Sequence, residues 1–361
     1  MTAARRWCLV ALGVLVLVSA PFVVRARPVP QPTTAAATLA ERVVDSRRQP
    51  FTGYVESVGA VALPDNNALS SLTGLLGRTH QVRVWWRDPS TWRVATVRTT
   101  GETDLVHRGD GTVRWVYESK RATKTSDVPV RLPTTVDLLP HELARRLLAG
   151  ARRTELSRLP TRRVAGRVAP GLRLTPADPQ SSVRHVDAYV DRETGVPLAV
   201  AVFARGSDRA ALSSRFVDFS PGAPDAATLR FSPPHDASLR VDRVVDLASA
   251  ADRFAARVPP STLAGLARRP PGAGSVGVYG RGPTLLIAVP LWHRTYHRVR
   301  DDLEGQPTVR ELDQGLLLGA PPMRLLLSTP EANGTSWLLA GTVTRRALLR
   351  AAGELVAHRP G

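Results

Sequence analysis

Short β-rich runs separated by turn sequences fill the chain from Phe51 to Phe219, and this spacing limits the fold more than any other feature. The runs His80 to Arg87 and Thr91 to Arg98 flank Asp88-Pro89-Ser90, whose residue types favour a tight turn. Strands that follow one another this closely pair as antiparallel hairpins, so the spacing predicts a meander. Further predicted strands are Phe51 to Leu63, Thr112 to Ser119, Thr161 to Leu174, Val183 to Asp191, Pro197 to Phe203 and Ala211 to Phe219.

Two amphipathic helices are predicted beside these strands. Leu39 to Arg48 has apolar residues at helical spacing and stops before Pro50. Pro140 to Ala151 begins with a proline and carries its leucines along one stripe.

The sequence changes character after Phe231-Ser-Pro-Pro234, where two successive prolines suit a domain boundary. A helix is predicted over Val244 to Arg257. The other predicted elements are a hairpin of Ser275 to Val278 with Thr284 to Pro290, a hairpin of Met323 to Ser328 with Ser336 to Val343, and a closing helix over Arg345 to Ala357. This order of elements predicts a small α+β domain.

The N-terminus carries an apolar run from Trp7 to Val24 behind Arg5 and Arg6. As a helix this run would reach about 27 Å, near the ~30 Å of a bilayer core, so its length fits a cleaved signal or a retained anchor. The best match to a signal-peptidase site is Val24-Arg25-Ala26, which has an arginine in its middle and is followed by Arg27. These arginines favour a retained anchor. The positive-inside rule then places the rest of the chain outside the cytoplasm. We therefore predict a signal peptide or signal anchor over 1–26, a Pro/Thr/Ala-rich tether over 27–38, and domains over 39–235 and 236–361.

The only cysteine, Cys8, lies at the start of the apolar run, whereas the acylated cysteine of a lipoprotein lies at its end. The exported part thus contains no disulfide, thiol nucleophile or cysteine metal site. The net charge of +18 comes almost wholly from arginine. Two interpretations of this charge stay open. One is a basic surface that attracts anionic lipids or cell-wall polymers. The other is GC-rich coding, which favours arginine codons. An exported chain without a dense basic run is not expected to bind nucleic acid.

Three short motifs are better explained by structure than by chemistry. Gly272-Ala-Gly274-Ser-Val-Gly277 has the letters of a dinucleotide fingerprint, but a strand follows it where a helix is needed. His293 and His297 have metal-binding spacing without the adjacent glutamate of zinc proteases. Asn333-Gly334 is a hairpin turn signal. We predict no catalytic, cofactor or metal residues and no enzymatic activity.

The order of elements resembles the LolA-like fold. The stretches that carry the resemblance are Phe51-Thr-Gly-Tyr-Val55, Val82 to Pro89 with Trp92-Arg93, Arg131-Leu-Pro133 with Asp137-Leu-Leu-Pro140, Ala188 to Leu198 and Phe231-Ser-Pro-Pro234. The second half is similar to that of two-domain envelope-stress regulators of the RseB and MucB type, through Val278 to Gly282 and Leu338 to Arg346. The resemblance implies an α+β fold, in which a half-open antiparallel barrel wraps over helices and a smaller α+β domain follows. It also implies an apolar cavity for acyl chains.

Large apolar side chains on the predicted strands and before the second helix are the candidates for lining that cavity. They are Trp86, Trp92, Trp115, Leu138, Leu139, Phe203 and Phe216. Trp85 and Trp86 point to opposite faces of their strand, so only one can face inward. Ordinary core packing is the alternative at every position.

Together these inferences predict a non-enzymatic extracytoplasmic protein that binds lipid or lipoprotein. The resemblance implies a regulator that senses the lipid state of the envelope and docks on a membrane-bound anti-sigma factor. A carrier of lipids or lipoproteins is the alternative, which cleavage at Ala26 would favour.

Overall fold

The computed structural model describes residues 5, 7, 12–15, 31, 33–64, 70–109, 111–127, 131–241, 258–269, 274–331 and 335–358. The predicted helix Val244 to Arg257, most of the predicted signal segment, Gly272-Ala273 and Asn333-Gly334 lie outside these ranges. Within them, no helix is long and apolar enough to cross a membrane.

One large sheet holds twelve of the described strands. They are β1 (Phe51–Gly59), β2 (Thr79–Asp88), β3 (Thr91–Arg98), β4 (Gly101–Arg108), β5 (Gly111–Val116), β6 (Arg121–Ser126), β7 (Leu156–Val164), β8 (Arg167–Leu174), β9 (Val183–Val190), β10 (Pro197–Ala204), β11 (Ala210–Pro221) and β12 (Ser238–Val241). Their order is β12-β6-β5-β4-β3-β2-β1-β11-β10-β9-β8-β7, so the sheet is not closed and β12 and β7 are its edges. Every pair is antiparallel except β12 with β6.

Helices cover one face of this sheet. After residue 31, the described helices of this part of the chain are α1 (Ala36–Asp45), α2 (Ser70–Leu76) and α3 (Pro140–Leu148), with 3-10 turns at Ser46–Arg48, Thr135–Leu138 and Arg153–Glu155. Two further helices, α4 (His293–Leu303) and α5 (Arg345–Ala357), belong to the smaller unit that follows. Leu39 of α1 and Ala144 of α3 pack with Leu172, Val186 and Val200 of the strands in one buried cluster. We call the face on which α1 and α3 pack the inner face of the large sheet.

A smaller sheet of six strands follows. Its strands are β15 (Gly277–Arg281), β16 (Thr284–Leu291), β17 (Val309–Leu312), β18 (Gly315–Ala320), β19 (Met323–Ser328) and β20 (Ser336–Gly341), in the order β15-β16-β20-β19-β18-β17. A two-stranded ribbon, β13 (Thr262–Leu263) with β14 (Leu266–Ala267), lies beside it. Helix α5 closes the core of this unit, because Leu348 and Leu355 are buried with Tyr279 and Leu339.

The two sheets meet at α3 and the turn between β15 and β16. Gly282 in this turn has φ +51, and an added Cβ would lie 2.7 Å from the carbonyl oxygen of Leu147. Glycine is therefore required both by the backbone angle and by the close approach. Ser181 also forms an isolated antiparallel β-bridge with Val343, so a backbone contact joins the two units at a second place.

The predicted fold class is confirmed, since an open and mostly antiparallel sheet with helices on one face precedes a smaller α+β unit. The closing helix has the predicted bounds Arg345–Ala357. The run Thr161 to Leu174 is two strands, β7 and β8, with Ala165 and Gly166 at positive φ between them. Strands β4, β6, β17 and β18 were not predicted. Strand β12 starts at Ser238 and pairs with β6 of the large sheet, although it lies beyond the predicted boundary at residue 235.

Candidate ligand-binding groove

Four rings in a row cross the inner face of β1 to β4. Phe51, Trp86, Trp92 and His107 occupy directly opposite positions on adjacent strands. Successive ring centroids are 6.2, 6.2 and 5.0 Å apart, with interplanar angles of 8°, 5° and 14°. Opposite residues on paired strands share a face, so the register alone places all four rings toward the interior.

The first turn of α3 packs His141 against this row. Its imidazole meets the rings of Phe51 and Trp86 edge-on, with centroid distances of 4.9 and 4.4 Å. Neither ring nitrogen has a hydrogen-bond partner among the described residues. Burial lowers the pKa of His141 to about 4, so the imidazole is neutral at pH 7.

A cavity of about 260 Å³ opens beside Trp86 and Trp92. Leu105 and Val136 complete its apolar wall. The charged side chains around it are Arg47, Asp127, Arg131, Glu142, Arg145 and Arg146. The lining of this cavity thus combines aromatic and aliphatic side chains with six charged ones.

A larger cavity of about 550 Å³ lies next to it and shares Leu105 and Thr134 as lining residues. Its polar lining consists of Ser70, His80, Thr79, Thr96, Thr100, Thr103, Thr134, Thr135, Arg78, Arg98 and Arg114. No carboxylate is among the described residues that line it. We call the two cavities together the inner groove.

Asp137 holds the segment 131–138, in which Thr134 lines both cavities. We call this segment the divider of the groove. The carboxylate of Asp137 accepts hydrogen bonds from Arg131 at 2.7 and 3.0 Å and from the backbone N–H of Thr134 at 2.5 Å, and it pairs with Arg146 of α3. Burial opposes ionisation, but these bonds outweigh it and hold the pKa of Asp137 below its ordinary value. A charged, buried carboxylate therefore ties the divider of the groove to α3.

The predicted lining residues fall into three sets. Trp86 and Trp92 border the smaller cavity. Leu139 and Phe216 are buried in the same core cluster as these rings, and Leu138 is 3 % exposed. None of these three leucine and phenylalanine side chains is among the residues that line the groove.

Trp115 and Phe203 lie on the other face of the large sheet. Trp115 is opposite Asp104, which directly precedes the inward-facing Leu105, so Asp104 and Trp115 both face outward. The ring of Trp115 packs against Phe231. Phe203 stacks on His185 with 4.4 Å between centroids. Trp85 also faces outward, beneath the guanidinium groups of Arg83 and Arg93, as its alternation with Trp86 predicts.

Several groove residues were missed by the sequence analysis. His107 and Leu105 lie on β4, which was not predicted because its sequence, Gly-Glu-Thr-Asp-Leu-Val-His-Arg, carries four charged residues or histidine. Asp104 on this strand is fully buried. It forms an ion pair with Arg93, in which Nη2 lies 2.5 Å from Oδ2. The alternation of Thr103, Leu105 and His107 is the signal that could have identified the strand.

His293 and His297 lie exposed on α4 with their Nε2 atoms 3.2 Å apart. Within the described ranges, no group of three or more His, Cys, Asp or Glu side chains is arranged to hold a metal ion.

No protein-family model matches the chain, and no curated protein matches it. Solved structures similar to it include the MucA/MucB complex of Pseudomonas aeruginosa, with 18 % identity over 88 % of this chain and 96 % of that chain and a TM-score of 0.49. A structure of MucB has 16 % identity over 88 % and 96 % of the two chains and a TM-score of 0.47. A LolA superfamily protein from Nitrosomonas europaea has 13 % identity over 54 % and 95 %, with a TM-score of 0.24. The structures found thus include both kinds of protein that the sequence resembles.

Proposed function

We propose that the chain is a non-enzymatic binding protein held at the outer face of a bacterial membrane, and that its inner groove takes the acyl part of a lipid or lipoprotein. The observation that carries this proposal is a pair of adjoining cavities of about 260 and 550 Å³, of which the smaller lies beside the rings of Trp86 and Trp92. Small-molecule sites usually enclose about 300–1,000 Å³ and combine apolar walls with a few polar groups.

The two cavities suit the two parts of an amphipathic ligand. Indole faces and the Leu105 side chain give the smaller cavity an apolar surface for methylene groups. The threonine hydroxyls and the arginines of the larger cavity offer hydrogen bonds and positive charge to a polar headgroup. Leu105 and Thr134 line both cavities, so one ligand can occupy the two together.

Helix α3 connects the groove to the smaller sheet, and this supports a sensing role. Glu142, Arg145 and Arg146 in its first turns line the smaller cavity. At its other end, the Leu147 carbonyl meets the turn at Gly282. A ligand that prefers one position of α3 would therefore change the surface of the second unit, as a binding equilibrium coupled between two sites requires.

The proposed partner is the outer part of a membrane-bound anti-sigma factor, a proposal that rests on the sequence resemblance to regulators of the RseB and MucB type. Crosslinking of the full chain in its own membranes before purification would identify the partner. Recovery of the chain without any such membrane protein would contradict the regulatory role and leave the binding proposal standing.

A photoreactive lipid tests the groove. The full chain, in membranes that contain a phospholipid with a diazirine near the end of one acyl chain, is irradiated and digested for mass spectrometry. We expect labelled peptides from residues 91–116 and 131–146, which line the groove. Labelling confined to residues 1–38 would show contact with bilayer lipid alone and would contradict the proposal.

A further inference from the structure

The edge strand β7 and the turn before it carry an unusual density of arginine. Between residues 152 and 163 the arginines are Arg152, Arg153, Arg158, Arg162 and Arg163, and all five are exposed. The only acidic residue in this stretch, Glu155, is buried and bound to Arg281 of the smaller sheet. Its charge is therefore already paired, and the exposed surface of this edge is positive.

Most of the acidic side chains near this edge pair with arginines outside this set. Glu41 of α1 pairs with Arg153 at 3.4 Å. Asp187 of β9 binds Arg173, whereas Asp191 and Glu193 bind Arg167. Among the described residues, no ion pair joins Arg162 or Arg163 to an acid. The guanidinium of Arg162 lies over the ring of Tyr189, 3.5 Å from its centroid, which fixes its position on the strand.

Gln31 lies against this same edge. The backbone N–H of Thr161 donates to Oε1 of Gln31 at 2.9 Å, and Nε2 of Gln31 donates to the Thr161 carbonyl at 3.4 Å. Gln31 lies seven positions after Val24, the last residue of the apolar segment. Seven residues span at most about 25 Å, so a retained anchor keeps Thr161 within that distance of the bilayer surface.

We propose that the exposed edge of β7 rests on the anionic phospholipid headgroups of the membrane in which the chain is anchored. The inference rests on the anchoring in the proposed function, and it assigns the surface that faces the bilayer. Each arginine close to an anionic surface contributes about fivefold to surface affinity. Contact along β7 would orient the large sheet edge-on and hold the inner groove at a fixed distance from the lipids.

Charged edge strands also have another role, because they prevent edge-to-edge pairing with other chains. That role is independent of lipid charge, and this difference separates the two explanations. The full chain is placed in nanodiscs of phosphatidylcholine alone or mixed with phosphatidylglycerol, and hydrogen exchange is followed at the amides of 156–164. We expect exchange at least about threefold slower in the anionic discs, and loss of this protection at high salt.

Two matched triple variants complete the test. R158Q/R162Q/R163Q should abolish the protection, whereas R294Q/R298Q/R310Q removes the same charge from exposed positions of the smaller unit and should preserve it. Equal exchange in the two kinds of disc would overturn the proposed surface while the anchor stands. Release of the chain from the discs with a mature N-terminus after Ala26 would overturn the anchor, and the proposed surface with it.

Discussion

Arg281 and Glu155 join the two sheets through a bidentate ion pair, in which Nη1 and Nη2 donate to the carboxylate at 2.6 and 2.7 Å. Nη1 also donates to the Gly150 carbonyl at 2.8 Å, directly after α3. The carboxylate accepts two further bonds, from the backbone N–H groups of Arg152 and Ala177. Burial opposes its ionisation, but these bonds outweigh that effect and lower the pKa of Glu155 to about 2. The pair therefore stays charged at every physiological pH.

Glu155→Gln should weaken the contact between the sheets. The substitution keeps the size of the side chain but leaves Arg281 without its anionic partner, which should destabilise the protein by about 2 kcal/mol. Urea unfolding at pH 7 measures this change. Glu193→Gln is the control, because its exposed carboxylate forms only a surface pair with Arg167 and should change stability by less than about 0.5 kcal/mol. Equal effects of the two substitutions would show that the Arg281 pair does not couple the sheets.

The buried His141 should make stability depend on pH between about 6.5 and 4. The unfolded state binds a proton near pH 6.5, whereas the folded state binds it only near 4. Stability therefore falls as pH decreases through this window, by up to roughly 3 kcal/mol.

His141→Leu should remove this contribution and flatten the stability curve between pH 7 and 4. Urea unfolding at several pH values compares the variant with the wild type and with His293→Leu, which changes an exposed histidine of α4. A His141→Leu curve parallel to that of the wild type would mean that His141 gains a proton or a partner in the folded state.

Leu105→Trp should block the inner groove. The larger side chain would occupy the point that the two cavities share, so affinity for an acyl ligand should fall at least about tenfold. Leu105 is only partly buried, so the fold should tolerate the substitution. Trp115→Phe is the control, because Trp115 lies on the opposite face. Photoreactive lipid labelling of both variants measures the effect, and unchanged labelling of Leu105→Trp would place the ligand elsewhere.

Asp137→Asn should loosen the divider of the groove. An amide cannot match the bonds of the carboxylate to Arg131, Arg146 and the Thr134 N–H, so amides of 131–138 should exchange faster and bound lipid should leave sooner. The pKa of Asp137 is depressed, so its stabilising effect is complete above about pH 4 and is lost as pH falls through the folded-state pKa. Asp208→Asn, at an exposed surface pair with Arg184, should leave exchange in 131–138 unchanged. Loss of the same protection in both variants would contradict the role of Asp137.

The sequence correctly separated Trp85 from Trp86, because alternation along a strand is a local property. It did not separate Trp92 from Trp115. The faces on which they lie depend on the strand register through β4. The charged residues of β4 obscure its strand alternation, because the buried Asp104 is accommodated only through its contact with Arg93 of β3. A shift in strand register between Val202 and Phe203 similarly affects how the end of β10 pairs.

The sequence by itself determined the antiparallel runs, the helix Arg345–Ala357 and the α+β class, since turn residues and hydrophobic spacing act over a few neighbouring positions. Tertiary structure decided which side chains fill the interior and which border an open cavity. Phe51, Trp86 and His141 come from three separate elements, and only their packing leaves space beside Trp92 and Leu105. The contact of Arg281 with Glu155 likewise spans 126 residues. Such contacts depend on the arrangement of whole sheets, which no local pattern encodes.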